Sequence, residues 1–359
     1  MRAQESLVRD HVDVLIKKLN KNCVRVDPTT GAVQKRSIDM RTWYNWTTFD
    51  VIGDLCFGES FGMLEKTRYD PWIKTLNSST QQVAVIQSLA SLGLGWLVGL
   101  LFKVIAPASE SHMATTQTKI DRRMLMTTER LDLIEPLIKL NDSGKLSKKK
   151  LVANAATILG AGSETTATLL TGVTYLLCKN PEVLKRVAQE VRATYHSDEE
   201  ITLMSVSKLE YMLACLNEAL RLYPPVSIGL PRTLNKGGDQ IAGHYLPEGT
   251  VVTVHQWAAN RSEINFHDSL AYRPERFLPD RPAEFAKDRR DAMQPFSVGP
   301  RNCVGKNLAI AEMRQILARV LFKFDLELVD PGLDWLAPGF QKAYFLWDKP
   351  PLEIYLTPV

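Results

Sequence analysis

Ten residues near the C-terminal end, Phe296–Gly305 (FSVGPRNCVG), constrain this chain more than any other stretch. A cysteine stands behind Gly299-Pro300 and just ahead of a helix predicted to begin near Gly305. Backbone N–H groups at a helix N-terminus favour an anion, so a Cys303 thiolate would be stabilised there. Small residues on either side let a flat cofactor approach the backbone. Arg301 adds a positive charge two residues away. Taken alone, a single cysteine near a helix start favours a structural cysteine buried in a turn. The other cysteines, Cys23, Cys56, Cys178 and Cys215, are widely spaced, and no CxxC pair occurs. That pattern speaks against a zinc site or a dithiol redox motif and points to a reducing compartment.

Helical periodicity dominates the first two thirds of the chain. The N-terminal stretch MRAQESLVRDHVDVLIKKLNK carries charges throughout and no apolar core of a signal peptide. It reads as an amphipathic helix with Leu7, His11, Val14, Leu15 and Leu19 near helical spacing. Further helices are predicted over 39–57, ending at Gly58, and from about Ser147 to Asn180-Pro181. Others follow over 181–196, 211–222 and 307–324. Short strands are predicted around Gln240–Tyr245 and Thr250–Val254, and a strand pair within Tyr344–Leu356. Between them, 260–300 reads as a long ordered loop. The fold class is therefore mainly α with a smaller β region (α+β). One domain is expected over 1–359, with a helical part over 1–140 and a core over 141–359.

The net charge of +4 is small, and no basic run is interleaved with aromatics, so no nucleic-acid partner is expected. Leu89–Phe102 is strongly apolar but interrupted by Gly93, Gly95 and Gly99. It falls short of the roughly 20 residues a membrane-spanning helix needs, and reads as buried or interfacial. Lys148-Lys149-Lys150 at the predicted start of the long helix oppose its dipole. Triplets of the N-x-S/T type at Asn45, Asn77 and Asn260 carry little weight.

Two further clusters carry chemistry. Glu218 and Arg221 in NEALRLYPP lie three apart and share one helix face. Their apolar neighbours imply burial, and a buried ion pair needs further partners. Ala161-Gly162-Ser163-Glu164-Thr165-Thr166 interrupts the long apolar helix. A threonine there can bond back to a carbonyl one turn earlier and distort the helix. Gly162 is expected to ease that distortion and leave a gap that water could occupy. By itself the hexamer reads first as a helix–helix contact of small residues.

In this order and separation, AGSETT, EALR, RPERF and FSVGPRNCVG resemble the signature segments of the cytochromes P-450, of the fungal membrane-associated type. The resemblance implies that Cys303 is the axial thiolate of heme b (iron protoporphyrin IX). Phe296 would pack on the cysteine side of the ring, and Gly299 and Gly305 would let the loop and the next helix close on it. Arg301 and Arg232 would contact the propionates. Glu218, Arg221 and Arg276 would hold the cysteine loop. Thr165 would support proton delivery during oxygen activation, and Glu164 would relay protons from solvent. Val226–Leu230, with Ile158, Ala161 and Thr165 of the long helix, would line the substrate cavity.

The implied activity is a monooxygenase of fungal secondary metabolism, acting on a lipophilic small molecule with O2. Its electrons would come from an NADPH-cytochrome P-450 reductase. The implied location of the full-length form is the cytoplasmic face of the endoplasmic reticulum membrane, with peripheral membrane contact. Two alternatives are a haem-thiolate isomerase or dehydratase and an inactive truncated remnant. The intact Glu164-Thr165 pair favours the monooxygenase. The family's usual membrane anchor, proline-rich hinge, first strands and W-x-x-x-R helix have no counterpart in these residues. The fold is accordingly expected to lack its N-terminal strands and helices, and the chain to bind haem poorly.

Overall fold

A computed structural model describes residues 4–26, 32–75, 84–86, 88–89, 92–127 and 130–359. In chain order the helices are α1 (Glu5–Asn22), α2 (Met40–Phe57), α3 (Met63–Lys66), α4 (Gly95–Met124), α5 (Glu135–Asp142), α6 (Lys148–Lys179), α7 (Pro181–Thr194), α8 (Glu210–Leu222), α9 (Gln256–Asn260) and α10 (Lys306–Lys323). The strands are β1 (Arg25–Val26), β2 (Val33–Gln34), β3 (Ile38–Asp39), β4 (Arg232–Thr233), β5 (Asp239–Ile241), β6 (His244–Leu246), β7 (Val251–Val252), β8 (Phe324–Leu328), β9 (Lys342–Ala343), β10 (Trp347–Asp348) and β11 (Glu353–Pro358). The class is the expected one, mainly α with small antiparallel sheets.

Helix α1 buries Val8, Val12, Leu15, Ile16 and Leu19. This stripe differs from the one read in the sequence. Leu7 and Val14 are only partly buried at its edge, and His11 instead bonds Asp54 of α2 at 3.2 Å. Helix α2 is buried on nearly all sides. The Asp39 carboxylate caps it by accepting from the Arg41 N–H at 3.2 Å. Gly58 closes it in the left-handed region at φ 68°. Its partner along the core is α6, which Ser147 caps by accepting from the Lys150 N–H. The basic start of α6 is offset by Asp121 of α4, 2.7 Å from Lys148.

Strands β3, β11 and β8 form the largest sheet, with β11 in the centre. Phe324, Leu326 and Leu328 of β8 point inward while Asp325 and Glu327 point out, the period-two pattern of a one-sided sheet. Two strand expectations need correction. The stretch around Gln240–Tyr245 is a hairpin, β5 against β6, because Ala242 (φ 51°) and Gly243 (φ 83°) take the left-handed geometry of a tight hairpin turn. The two strands of the tail do not pair with each other: β10 pairs with β9, and β11 with β8 and β3. Pro350-Pro351 stands between them, and proline cannot donate to a ladder.

Asn45 and Asn260 are 5% and 0% exposed, which removes both as glycosylation acceptors in the folded chain; Asn77 lies outside the described residues. Of the apolar stretch 89–102, residues 90 and 91 and the side chains of 95 and 98–102 also lie outside them. Leu92 and Trp96 within it are exposed. Among the described residues no helix is long and apolar enough to cross a membrane.

Candidate functional site

The site is built outward from a buried ionic knot on α8. Arg221 makes a two-pronged contact with Glu218, Nε to Oε2 at 2.8 Å and NH2 to Oε1 at 2.7 Å. Both side chains are fully buried. The remaining guanidinium donors are spent on three carbonyls, Asn260 at the end of α9 (2.6 Å) and Ser269 (2.5 Å) and Ala271 (2.9 Å) of the loop after it. Arg276, in the short turn Pro274–Phe277, donates from Nε to Glu218 Oε1 at 3.1 Å and pairs with Asp288. The Arg273 N–H also donates to Glu218, at 2.8 Å. A buried ion pair is tolerable only when its remaining hydrogen-bonding capacity is met, and here it is. Arg261 lies against this knot and is pushed down to about 10, by burial first and then by the charge of Arg221.

This knot fixes the meander between α9 and the cysteine. The Gln294 N–H donates to Gln256 Oε1 of α9 at 2.8 Å, and the Arg289 N–H to the Asn265 carbonyl at 2.7 Å. Only then does the loop turn outward. Ser297 (φ 57°) and Gly299 (φ 76°) take left-handed backbone, and the Cys303 N–H closes the loop on the Phe296 carbonyl at 2.8 Å. The result is a small platform in which residues 298–304 are all exposed, Val304 almost completely (98%). The reading of Cys303 as a buried structural cysteine is therefore excluded: it is exposed, whereas Cys23, Cys56 and Cys215 are buried and Cys178 partly so. Phe296 lies partly buried beside the platform under the Lys306 ammonium, 5.7 Å from the ring centre. A Cβ added at Gly299 would meet nothing, and one at Gly305 only the Cys303 sulfur, at 3.9 Å.

Other open surfaces fit the same purpose. Arg301 and Arg232 are exposed, and neither forms an ion pair among the described residues; Arg232 donates only to the Pro231 carbonyl at 2.9 Å. Val251, Val254 and Leu230 are large apolar side chains left open (61%, 66% and 37%) in the segment around β4 and β7. On α6, Ala161 is exposed, Ile158 and Thr165 are half-buried on the same face, and a Cβ at Gly160 would meet nothing. Thr165 Oγ1 donates to the Ala161 carbonyl at 2.7 Å, one turn back, while α6 stays helical throughout.

One detail differs from expectation and one adds to it. Gly162 leaves no gap: a Cβ there would stand 2.8 Å from Cδ1 of Ile52, so the glycine admits α2 against α6. Glu164 keeps 18% of its side chain exposed but is already paired with a cation. Its Oε1 is bound by the ammonium of Lys349, from the segment after β10, which also donates to Thr168 at 2.8 Å. The sequence reading missed Lys349 and Asp288, because neither has a local pattern linking it to α6 or α8. The stretch Tyr344–Leu356, read only as a strand pair, contains Lys349 but gives no partner for it.

Among the described residues no group of three or more His, Cys, Asp or Glu could hold a bare metal ion. The open thiol on a loop with room at Gly299 fits a metal whose other ligands come with a cofactor. The pattern that defines cytochrome P450 matches residues 2–354. The chain belongs to the cytochrome P450 family. It is similar to cytochrome P450 monooxygenase tpeC of Talaromyces stipitatus, with 46% identity over 99% of this chain and 68% of the relative. It is 44% identical to averantin hydroxylase of Dothistroma septosporum, over 100% of this chain and 66% of the relative. Cytochrome P450 monooxygenase stcF of Emericella nidulans is 39% identical over 99% and 72%. The chain thus spans about two thirds of the length of these relatives. The family carries a haem, and the open thiol, the free cations and the glycine platform of this P450 fit one. The monooxygenase class stands, and no support exists among these relatives for an isomerase.

Proposed function

We propose that this P450 inserts one oxygen atom from O2 into a lipophilic small molecule of fungal secondary metabolism, the second atom leaving as water. Its electrons would be drawn from NADPH through a cytochrome P-450 reductase, and its cofactor would be heme b. The observation that carries the reading is the exposed thiol of Cys303 on a loop anchored by the fully buried Glu218–Arg221–Arg276 knot. The ring, when bound, supplies the redox chemistry, with a thiolate ligand pushing electron density onto the metal.

The chain's own residues do the rest. Cys303 would hold the metal, and Arg232 and Arg301 would meet the propionates. The apolar side chains of Leu230, Val251 and Val254 offer a surface that favours a lipophilic substrate and excludes water. Thr165 directs its proton to the Ala161 carbonyl, so its oxygen lone pairs are free to accept a proton-bearing water. Averantin hydroxylase carries a substrate class in its name, and a hydroxylation of comparable chemistry suits this reading. Exposed Leu92 and Trp96 favour peripheral contact with the endoplasmic reticulum membrane.

The test is the absorption spectrum of the reduced, carbon-monoxide-treated protein. Cys303→Ser should abolish the thiolate signature, and a variant replacing Cys23, Cys56, Cys178 and Cys215 together should keep it. The opposite pattern would move the ligand elsewhere.

A further inference from the structure

The acid and the threonine of AGSETT do not face the same way. Neighbours on a helix point about 100° apart, whereas residues four apart share a face. Thr165 thus shares its face with Ala161, and Glu164 shares its face with Thr168. What lies over the second face is Lys349, and it is held at both ends. Its ammonium contacts Glu164 and donates to Thr168 at 2.8 Å. Its carbonyl accepts from Arg41 NH1 at 2.7 Å. Arg41 is in turn paired with Asp39 at 3.2 Å, and the Asp39 carboxylate also accepts from the Leu352 N–H at 3.0 Å. Lys349 is only 5% exposed. The second carboxylate oxygen of Glu164 is buried with no hydrogen-bond partner. One oxygen is therefore committed to the tail and the other is turned inward with nothing to bind. Tyr69 and Tyr223 also stand near this carboxylate. Burial is the main cause of their raised hydroxyl pKa, and the Glu164 charge adds to it.

We propose that Lys349 is a positioning residue for the reaction, a latch that ties Glu164 to the C-terminal segment so that the carboxylate reaches the Thr165 face only when this contact opens. The inference rests on the monooxygenase reading above, and it assigns to the tail a part in proton delivery that nothing in its local sequence announces. The charged and titratable groups facing Glu164 are Lys349 from the tail, Tyr69 after α3 and Tyr223 after α8, while Arg41 with Asp39 at the start of α2 holds the Lys349 backbone.

The test uses the haem-loaded full-length protein carrying Lys349→Met, Lys349→Arg, Glu164→Gln, or Lys349→Met with Glu164→Gln. Two quantities are followed from pH 5 to pH 8: the melting temperature without turnover, and hydrogen peroxide released per NADPH consumed. Without its cation the partly buried carboxylate favours its neutral form. A folded-state acid so raised gives stability at low pH that is lost as pH rises. The Lys349→Met protein should therefore acquire a melting temperature that falls between pH 5 and pH 8 relative to wild type. Adding Glu164→Gln should remove that slope, and Lys349→Arg should retain wild-type behaviour. The peroxide ratio of Lys349→Met should follow a pH profile displaced upward from that of wild type, and Glu164→Gln should flatten it. A packing role alone would lower the melting temperature equally at every pH. Superimposable profiles of wild type and Lys349→Met in both measurements would overturn the latch. A wild-type protein with no thiolate spectrum and no NADPH consumption would instead overturn the monooxygenase reading, and the melting-temperature cycle would still report on the Lys349–Glu164 contact.

Discussion

Glu312 offers the sharpest physical test of this fold. It lies on α10, the helix that follows the cysteine loop, and is 3% exposed. Its Oε1 has no hydrogen-bond partner, and burial alone pushes its carboxyl from the ordinary 4.5 up to about 8. The folded chain thus keeps a proton that the unfolded chain gives up near pH 4.5. Glu312 contributes its full share of stability below that value. The share is lost progressively as pH rises toward 8, and nothing further is lost above it. Each unit corresponds to 1.36 kcal/mol, so the two and a half units between about pH 5.5 and about pH 8 amount to about 3 kcal/mol. Glu312→Gln keeps the shape and cannot titrate. Relative to wild type, the variant should therefore gain about 3 kcal/mol on going from about pH 5.5 to about pH 8. Urea unfolding of both proteins at the two pH values measures this directly, with the slope of the transition checked for constancy. Parallel pH dependence in the two proteins would refute the argument and would mean that Glu312 is ionised in the fold with a compensating partner.

Gly162→Ala should destabilise the chain by about 1–3 kcal/mol through pressure on Ile52, and Ile52→Val in the same chain should restore much of the loss in thermal melting; no restoration would mean that the two side chains do not compete for the same space. Thr165→Ala should leave haem binding intact and raise hydrogen peroxide per NADPH, because a dry site needs a placed hydroxyl to deliver protons; an unchanged ratio would remove Thr165 from the mechanism. Alkaline carbonate should extract the protein from membranes, since Leu92 and Trp96 partition without spanning, and resistance to extraction would argue for a span.

Much of the helical frame was legible because the periods are long and the stop signals strong. Ser147 and Asn180-Pro181 bracket α6, and Asp39 and Gly58 bracket α2. The strands were less legible. A two-residue turn through Ala242 divides what reads as one strand, and Ala is not a residue that announces left-handed backbone. The interior stripe of α1 was displaced because His11, which sits at a helically spaced position, is drawn to Asp54 rather than to the apolar core.

The site divides along the same line between local and distant information. FSVGPRNCVG is contiguous, so its backbone geometry and its cysteine are read together. Glu218 and Arg221 are one turn apart, so their pairing is implied by helix geometry. Arg276, by contrast, reaches Glu218 across 58 residues of sequence, Asp288 joins through Arg276, and Lys349 reaches Glu164 across 185. Electrostatics explains why these long-range partners recur at buried positions. Glu218, with no exposed atoms, requires a cation, and Arg221 has more donors than one carboxylate can accept. The surplus must be met by carbonyls, and those carbonyls belong to the end of α9 and the loop leading to Cys303. The requirement to satisfy a buried guanidinium is thus what holds a distant thiol in place. The same reasoning applies to Lys349, whose burial demands an acceptor and finds Glu164 and Thr168 on the helix that also carries Thr165. A single side chain that satisfies its own charge in this way ties the C-terminal segment to the Glu164–Thr168 face of α6, beside the face that carries Thr165.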